Sequence, residues 1–246
     1  APPKGEQWDV VPDTHAGELG PGQMRDGDYR RALTPADAEQ RAPADPTYDE
    51  RLAVAQNLIK LGGSGDLTDG QAVVGQLVDL PLADLKLLEE KGTKVVACRG
   101  SVTDYLPDLA KEKPNGWKDG STWSTVPGLQ DGGNNEVVIA TRGHGTAEGV
   151  HVPKKGDGHN SYNLVAHETM HAVDRLEGEA SQTNDFLQAR DDDMDAIQKD
   201  EYLNQPDEWG PRESYAEVAA RYYGGDPTLE AEMPSLYAYF ASREDR

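Results

Sequence analysis

His167-Glu168-Thr169-Met170-His171 is the stretch of sequence that decides the fold, and it has the pattern His-Glu-x-x-His. On an α-helix, residues i and i+4 lie on one face, one turn apart, so both imidazoles can bind one metal ion from the same side. Glu168 projects beside them and can take a proton from a water molecule that the metal activates. A surface helix could carry these residues by chance, but the whole chain has only six histidines. The motif therefore predicts a zinc peptidase, with His167 and His171 as ligands and Glu168 as general base.

The motif is predicted to lie on a largely buried helix from about Tyr162 to Glu177. Ser161 is the predicted N-cap of this helix, because a serine hydroxyl can accept a hydrogen bond from a free backbone N–H group of the first turn. Gly178 is the predicted stop, and Arg175 in the last turn suits the helix dipole. Such a helix would direct both histidines of the motif towards the interior.

The third metal ligand is expected from a second helix, since a catalytic zinc has three protein ligands and one open position. The best candidate segment is residues 213–223, which is followed by Gly224-Gly225. Glu213 and Glu217 are one turn apart in this segment, so both can face the metal helix. The alternative is an ordinary exposed acidic pair, because the chain has 45 acidic residues and glutamate is usually exposed.

Two motifs together resemble the catalytic domain of anthrax lethal factor and the related secreted Pro-Pro endopeptidases of clostridia. They are His-Glu-x-x-His-Ala-Val-Asp, from His167 to Asp174, and Glu-x-x-Ala-Glu, from Glu213 to Glu217. The resemblance implies that Glu213 is the third zinc ligand and that Glu217 orients a ligand histidine from behind. It also implies that Asp174 supports the site in a similar way or anchors the helix. Met170 departs from the family, which usually has glycine before the second histidine.

The resemblance implies an α+β, zincin-like metallopeptidase fold with a small mixed sheet and a helical C-terminal part. We expect residues 79–246 to form the catalytic domain and residues 1–78 to form an extended and helical region packed on it. Thr93 to Cys98 and Glu136 to Thr141 are predicted strands, and the second is expected at the sheet edge, where a substrate backbone can pair. Upstream, Tyr48 to Leu61 is predicted to be one amphipathic helix.

A second departure from the family concerns the group that stabilises the oxyanion. The family places a tyrosine shortly before the third ligand, but residues 204–212 contain none, and Trp209 stands at about that place. An indole can donate only through its nitrogen. Tyr202 or Tyr215 could supply the hydroxyl instead. His144 follows the predicted edge strand and could line the substrate cleft, with an exposed loop position as the alternative.

The expected function is a secreted zinc-dependent endopeptidase that binds one Zn²⁺ per chain and cleaves a protein or peptide substrate. The resemblance leaves a toxin role and a surface-remodelling role open. The alternative is a zinc-stabilised binding or toxin-scaffold domain with little or no turnover. The missing tyrosine favours this alternative, because losing one oxyanion donor lowers turnover by about a hundred- to a thousandfold.

Composition argues against other classes of protein. The net charge of −21 and the lack of a lysine or arginine stripe argue against nucleic acid as a partner, because its phosphates would be repelled. No membrane span is expected, since no stretch of about 18 apolar residues exists. No signal peptide is visible at Ala1, so we expect it to have been removed or to lie outside this sequence. Cys98 is the one cysteine, which excludes an intrachain disulfide and predicts a small core residue.

Overall fold

The computed structural model describes residues 10–11, 24–41, 45–114, 122–143 and 149–243. Its helices, in chain order, are α1 (Asp26–Ala32), α2 (Ala38–Arg41), α3 (Tyr48–Leu58), α4 (Leu67–Leu77), α5 (Leu82–Glu90), α6 (Leu164–Leu176), α7 (Asn184–Asp192), α8 (Met194–Ile197), α9 (Trp209–Tyr223), α10 (Leu229–Glu232) and α11 (Pro234–Ala241). Its strands are β1 (Val10–Val11), β2 (Met24–Arg25), β3 (Ile59–Leu61), β4 (Lys94–Arg99), β5 (Gly128–Asp131) and β6 (Glu136–Thr141). β1 and β2 pair with each other, apart from the main sheet.

The main sheet has the strand order β3-β4-β6-β5 in the described ranges. β3, β4 and β6 run parallel, and β5 runs antiparallel to β6. The sheet is therefore small and mixed, and helices lie both before and after its central strands in the chain, which confirms the expected α+β architecture. The expectation that Glu136 to Thr141 forms the sheet edge is wrong, because β6 lies between β4 and β5. The edge nearest the metal-binding helix is β5 instead.

Alternate residues of the central strands face two different cores, as the period of two along a β-strand requires. One face packs against the helices through Val95, Ala97, Val137 and Ile139. The other face packs against a smaller cluster through Val96, Cys98, Val138 and Ala140. Cys98 is a buried core residue, as predicted, and burial raises the pKa of its thiol.

Helix α3, which was expected to span Tyr48 to Leu61, is shorter than expected. α3 ends at Leu58, and the next three residues form β3 instead of continuing the helix to Leu61. Ile59 pairs with Val95 of β4, and the Lys60 ammonium lies 2.8 Å from the Glu136 carboxylate. These contacts come from distant parts of the chain, which is why the local helical pattern does not reveal them. β3 comes from the predicted N-terminal region and joins the same sheet as β4. The predicted division between residues 78 and 79 stays a prediction.

α6 lies between the sheet and α9. It packs on β5, on β6 and on α9. On the far side of α9, Tyr215 packs against the rings of Phe186 and Phe240, with ring centroids 5.3 Å and 5.2 Å away. This arrangement fixes α9 relative to α6, and it thereby brings two helices that are distant in sequence to one site. No helix of the described ranges is long and apolar enough to cross a membrane.

Candidate active site

α6 carries the His-Glu-x-x-His motif and has well-defined ends. Asn163 is its N-cap, and the side-chain oxygen of Asn163 accepts a hydrogen bond from the backbone N–H of Ala166 at 3.0 Å. The prediction of Ser161 as the cap is wrong, because the Ser161 hydroxyl bonds the ring of His159 at 2.7 Å instead. Gly178 follows the helix end as predicted, with a φ of 79° in the left-handed region that favours glycine.

Three candidate ligand atoms meet at the contact between α6 and α9. Nε2 of His167 lies 3.2 Å from Nε2 of His171, and Oε2 of Glu213 lies 3.3 Å from the first nitrogen and 3.4 Å from the second. A tetrahedral ion that is bonded at about 2.0–2.1 Å holds neighbouring ligand atoms about 3.3 Å apart. Oε2 of Glu213 is also buried without a well-directed hydrogen bond from any described residue. The three groups therefore fit a tetrahedral metal ion with one open position.

The charges at this contact favour a bound cation. Burial alone would raise the pKa of Glu213, but the adjacent His171 and His167 outweigh burial and hold that pKa well below its usual range. Burial alone would lower the pKa of His167, but the Glu213 and Glu217 carboxylates hold it well above its usual range. Glu213 is therefore ionised at neutral pH, and a cation bound there replaces the proton that His167 otherwise takes up.

Glu217 supports His167 from the side opposite the ligand atoms. Its Oε2 lies 3.1 Å from Nδ1 of His167, and its Oε1 accepts a hydrogen bond from the backbone N–H of Tyr162 at 2.9 Å. Because Nδ1 then carries the proton, Nε2 keeps its lone pair for a metal. This is the arrangement that the family resemblance implied for Glu217.

The side chain of Glu168 extends from α6 towards the edge strand β5. The backbone N–H of Gln130 lies near its carboxylate and favours the ionised form. Oε1 of Glu168 is so close to Gly128 that a Cβ atom on that glycine would lie only 2.7 Å away. Burial raises the pKa of Glu168, and the charges of His167 and His171 act against that rise. A carboxyl group in such a place, beside the metal ligands, has the properties of a general base.

Gly128 and Gln130 were not singled out from the sequence. The sequence does contain a signal for Gly128, because a glycine inside a strand often marks the close approach of another group. The strand itself was missed, since Gly128–Asp131 is short and does not alternate clearly between apolar and polar residues. No local signal distinguishes the backbone N–H of Gln130 from that of any other strand residue.

Tyr202 lies beside the candidate ligands. Its ring centroid is 6.2 Å from that of His167, with an angle of 30° between the rings. Burial raises the pKa of Tyr202 well above its usual value, and the charges of Glu213 and Glu168 raise it further. The phenol therefore stays protonated at neutral pH and can donate a hydrogen bond to an oxyanion.

Other residues proposed as substrate contacts are placed differently. The suggestion for Tyr215 is wrong, because its side chain is fully buried on the other face of α9 and its hydroxyl bonds Glu177 at 3.2 Å. Trp209 is 43% exposed, and the Cζ atom of Arg212 lies 5.6 Å from the centroid of its ring. His144 lies outside the described residues, so its place in the cleft stays a prediction.

Asp174 anchors the end of α6. Its Oδ1 accepts a hydrogen bond from the backbone N–H of Ser181 at 2.6 Å, and its Oδ2 accepts one from the Ser181 hydroxyl at 2.7 Å. Both bonds tie the last turns of α6 to the short 3-10 helix Ala180–Gln182. Of the two roles considered for Asp174, this geometry supports the anchoring of the helix.

The sequence profile of the family described as anthrax toxin lethal factor, N- and C-terminal domain, matches residues 71–243. The chain belongs to this family. A Pro-Pro endopeptidase of Paenibacillus alvei is 33% identical over 208 residues, which are 80% of this chain and 88% of that relative. A Pro-Pro endopeptidase of Clostridioides difficile is 29% identical over 210 residues, with coverage of 80% and 87%.

The fold agrees with the family. The solved structure of the Pro-Pro endopeptidase from Paenibacillus alvei superposes with a TM-score of 0.63 at 31% sequence identity, and it covers 77% of this chain and 98% of that chain. These matches confirm the resemblance to lethal factor and the Pro-Pro endopeptidases, and they confirm the α+β zincin-like fold. The chain is a metalloendopeptidase.

Proposed function

We propose that this metalloendopeptidase depends on zinc, which His167, His171 and Glu213 hold, and that Glu168 is its general base. The observation that carries the proposal is the triangle of ligand atoms with sides of 3.2, 3.3 and 3.4 Å. Two imidazole nitrogens and one carboxylate oxygen are a usual donor set for catalytic zinc. When bound, zinc supplies a Lewis acid that polarises the scissile carbonyl and makes water more acidic.

The chain's own residues account for the proton transfers. Glu168 takes a proton from the attacking water molecule and passes it to the amine of the leaving peptide. Tyr202 donates its hydroxyl hydrogen bond to the oxygen that becomes negatively charged when the water adds to the carbonyl. Glu217 holds His167 in the tautomer that leaves Nε2 free to bind the metal.

A binding domain without turnover is less well supported than an active peptidase. The sequence argument for such a domain was the lack of a tyrosine in residues 204–212. Tyr202 lies just outside that stretch, and its ring lies within 6.2 Å of the ring of His167. This position supports Tyr202 as the proposed oxyanion donor, the group whose absence favoured the alternative.

We propose that the bond cleaved lies between two prolines, as the names of both curated relatives state for those enzymes. The identity of 33% over most of the chain supports this transfer. We further propose that the protein acts outside the cell. Immunodetection of the native protein in culture medium and in washed cells checks this second proposal, and its retention inside the cells would contradict it.

The test compares the wild type with Glu168→Gln, and uses Glu230→Gln, an exposed glutamate on α10, as the matched control. Each protein is incubated with a peptide library that contains Pro-Pro, Pro-Ala and Ala-Pro bonds, and zinc is quantified by mass spectrometry. We expect about one zinc per chain in all three proteins, with cleavage at Pro-Pro by the wild type and the control alone. Undiminished cleavage by Glu168→Gln would refute the role of Glu168. Zinc in every protein with cleavage in none would favour the binding domain.

A further inference from the structure

The edge strand β5 has a regular hydrogen-bonding pattern that decides which backbone groups face away from the sheet. The backbone N–H of Ala140 donates to the carbonyl of Pro127 at 2.7 Å, and Leu129 pairs with Val138. In an antiparallel ladder, hydrogen-bonded residues alternate with residues whose N–H and C=O point outwards. Gly128 and Gln130 are therefore the residues that direct their backbone groups away from β6.

Both outward-facing residues meet Glu168. The backbone N–H of Gln130 lies on the side of β5 that faces Glu168, and it acts against the rise that burial causes in the pKa of the Glu168 carboxyl. A Cβ atom on Gly128 would lie 2.7 Å from Oε1 of Glu168, 2.8 Å from its Cγ and 2.6 Å from Cδ1 of Leu164. Real Cβ atoms do not approach other atoms this closely, so Glu168 and the buried Leu164 would both have to shift. Only a glycine at position 128 leaves room for Glu168 in its present position.

We propose that β5 positions the general base, with the Gln130 N–H holding the Glu168 carboxylate and Gly128 forming the slot that admits it. This inference rests on the proposed role of Glu168. Gly128 and Gln130 are positioning residues, since they act on the reaction through Glu168. A carboxylate held on one side by a fixed backbone donor has fewer orientations, and a shift of about 1 Å in a reacting group can lower turnover about a hundredfold.

The decisive comparison is Gln130→Pro against Gln130→Ala. Proline removes the backbone N–H, whereas alanine removes the side chain and keeps it. Because this N–H points away from β6, proline breaks no bond of the ladder, and proline is tolerated on edge strands in such positions. We expect Gln130→Pro to have a kcat roughly ten- to a hundredfold below that of Gln130→Ala, the factor typical of a hydrogen bond to a charged group, with KM and zinc content unchanged.

A second pair of variants tests the slot and covers the case in which Gln130→Pro does not fold. Gly128→Ala is compared with Gly132→Ala in the same hairpin, where the nearest atom to an added Cβ is 3.6 Å away, an ordinary contact. We expect Gly128→Ala to lower kcat at unchanged zinc content and Gly132→Ala to leave it unchanged. A crystal structure of Gly128→Ala is expected to show the Glu168 carboxylate displaced from β5.

The outcomes separate this inference from the proposed function. An active Glu168→Gln variant would overturn both, since β5 would then position a group that the reaction does not need. An inactive Glu168→Gln variant, together with equal kcat values for Gln130→Pro and Gln130→Ala, would overturn only the role of the Gln130 N–H. Equal kcat values for Gly128→Ala and Gly132→Ala, with Glu168 in place in the crystal structure, would overturn the role of Gly128.

Discussion

Replacing Glu217 by glutamine tests how the protein prepares a metal ligand. The two carboxylate oxygens of Glu217 serve two donors, the backbone N–H of Tyr162 at 2.9 Å and Nδ1 of His167 at 3.1 Å. Glutamine has nearly the same shape but only one oxygen, and its NH₂ group can only donate. In Glu217→Gln, one of the two donors must therefore face another donor.

The loss of metal affinity follows from that conflict. If the amide oxygen stays with the N–H of Tyr162, the NH₂ group faces Nδ1 of His167, which must then give up its proton. The proton moves to Nε2, the atom that should bind the metal. If the amide turns around, the Tyr162 N–H loses its partner instead. Changes to such supporting groups cost about ten- to a hundredfold in metal affinity, which corresponds to about 1.4–2.7 kcal/mol.

The assay is a competition for zinc between the protein and a chromophoric chelator, with Glu230→Gln as a control of the same chemistry at an exposed position. We expect Glu217→Gln to release zinc at a chelator concentration about ten- to a hundredfold lower than the wild type and the control do. Zinc affinity of Glu217→Gln within about twofold of the control would refute the reasoning, because the hydrogen bond to Nδ1 would then have no influence on the ligand.

Three further predictions concern the oxyanion, the C-terminal anchor and acid stability. Tyr202→Phe is expected to lower kcat by about a hundred- to a thousandfold with zinc content unchanged; turnover close to that of the wild type would contradict the assignment. Arg243→Leu is expected to destabilise the fold by about 3 kcal/mol in urea unfolding, because the guanidinium lies 2.8 Å from Glu177 and 3.2 Å from the buried Asp84; an unchanged midpoint would show that the network does not stabilise the fold. Burial lowers the pKa of His159 below its usual 6.5. The stability that the neutral, buried imidazole provides is therefore complete above pH 6.5, and it is lost as the pH falls towards the pKa that His159 has in the folded protein. His159→Gln is therefore expected to lose less in melting temperature than the wild type between about pH 7.5 and 5.5, and equal losses would contradict this sign.

The helices of the site could be predicted from sequence because their signals are local. The spacing of His167 and His171 and the apolar residues around them define α6, and the spacing of Glu213 and Glu217 defines the face of α9 that meets it. The strand Glu136–Thr141 was predicted to the residue, because a run of β-branched and small apolar residues admits few other structures. In each of these elements, the segment itself contains the residues that predict its structure.

The remaining elements could not be predicted because they depend on partners elsewhere in the chain. Ile59–Leu61 continues a helical pattern and becomes a strand only through parallel pairing with β4. Ser161 has the chemistry of an N-cap, but its hydroxyl is bound to His159, and Asn163 caps the helix two residues later. In each case local propensity leaves two choices open, and a tertiary contact of a few kcal/mol selects one of them.

Tyr202, which we propose as the oxyanion donor, shows how a residue can lie beside the site from a position that the family pattern does not predict. Residues 201–208 form turns, and Asp207 has a φ of 58°, so the path from Tyr202 to α9 has no regular rise per residue. A tyrosine can therefore shift by a few positions in sequence and still lie beside the ring of His167. The ligands on α6 and α9 have no such freedom, because a shift of one residue on a helix rotates a side chain by about 100° away from the site. The spacing of helix-borne residues is thus strong evidence for function, whereas the absence of a loop-borne residue from its usual position is weak evidence against it.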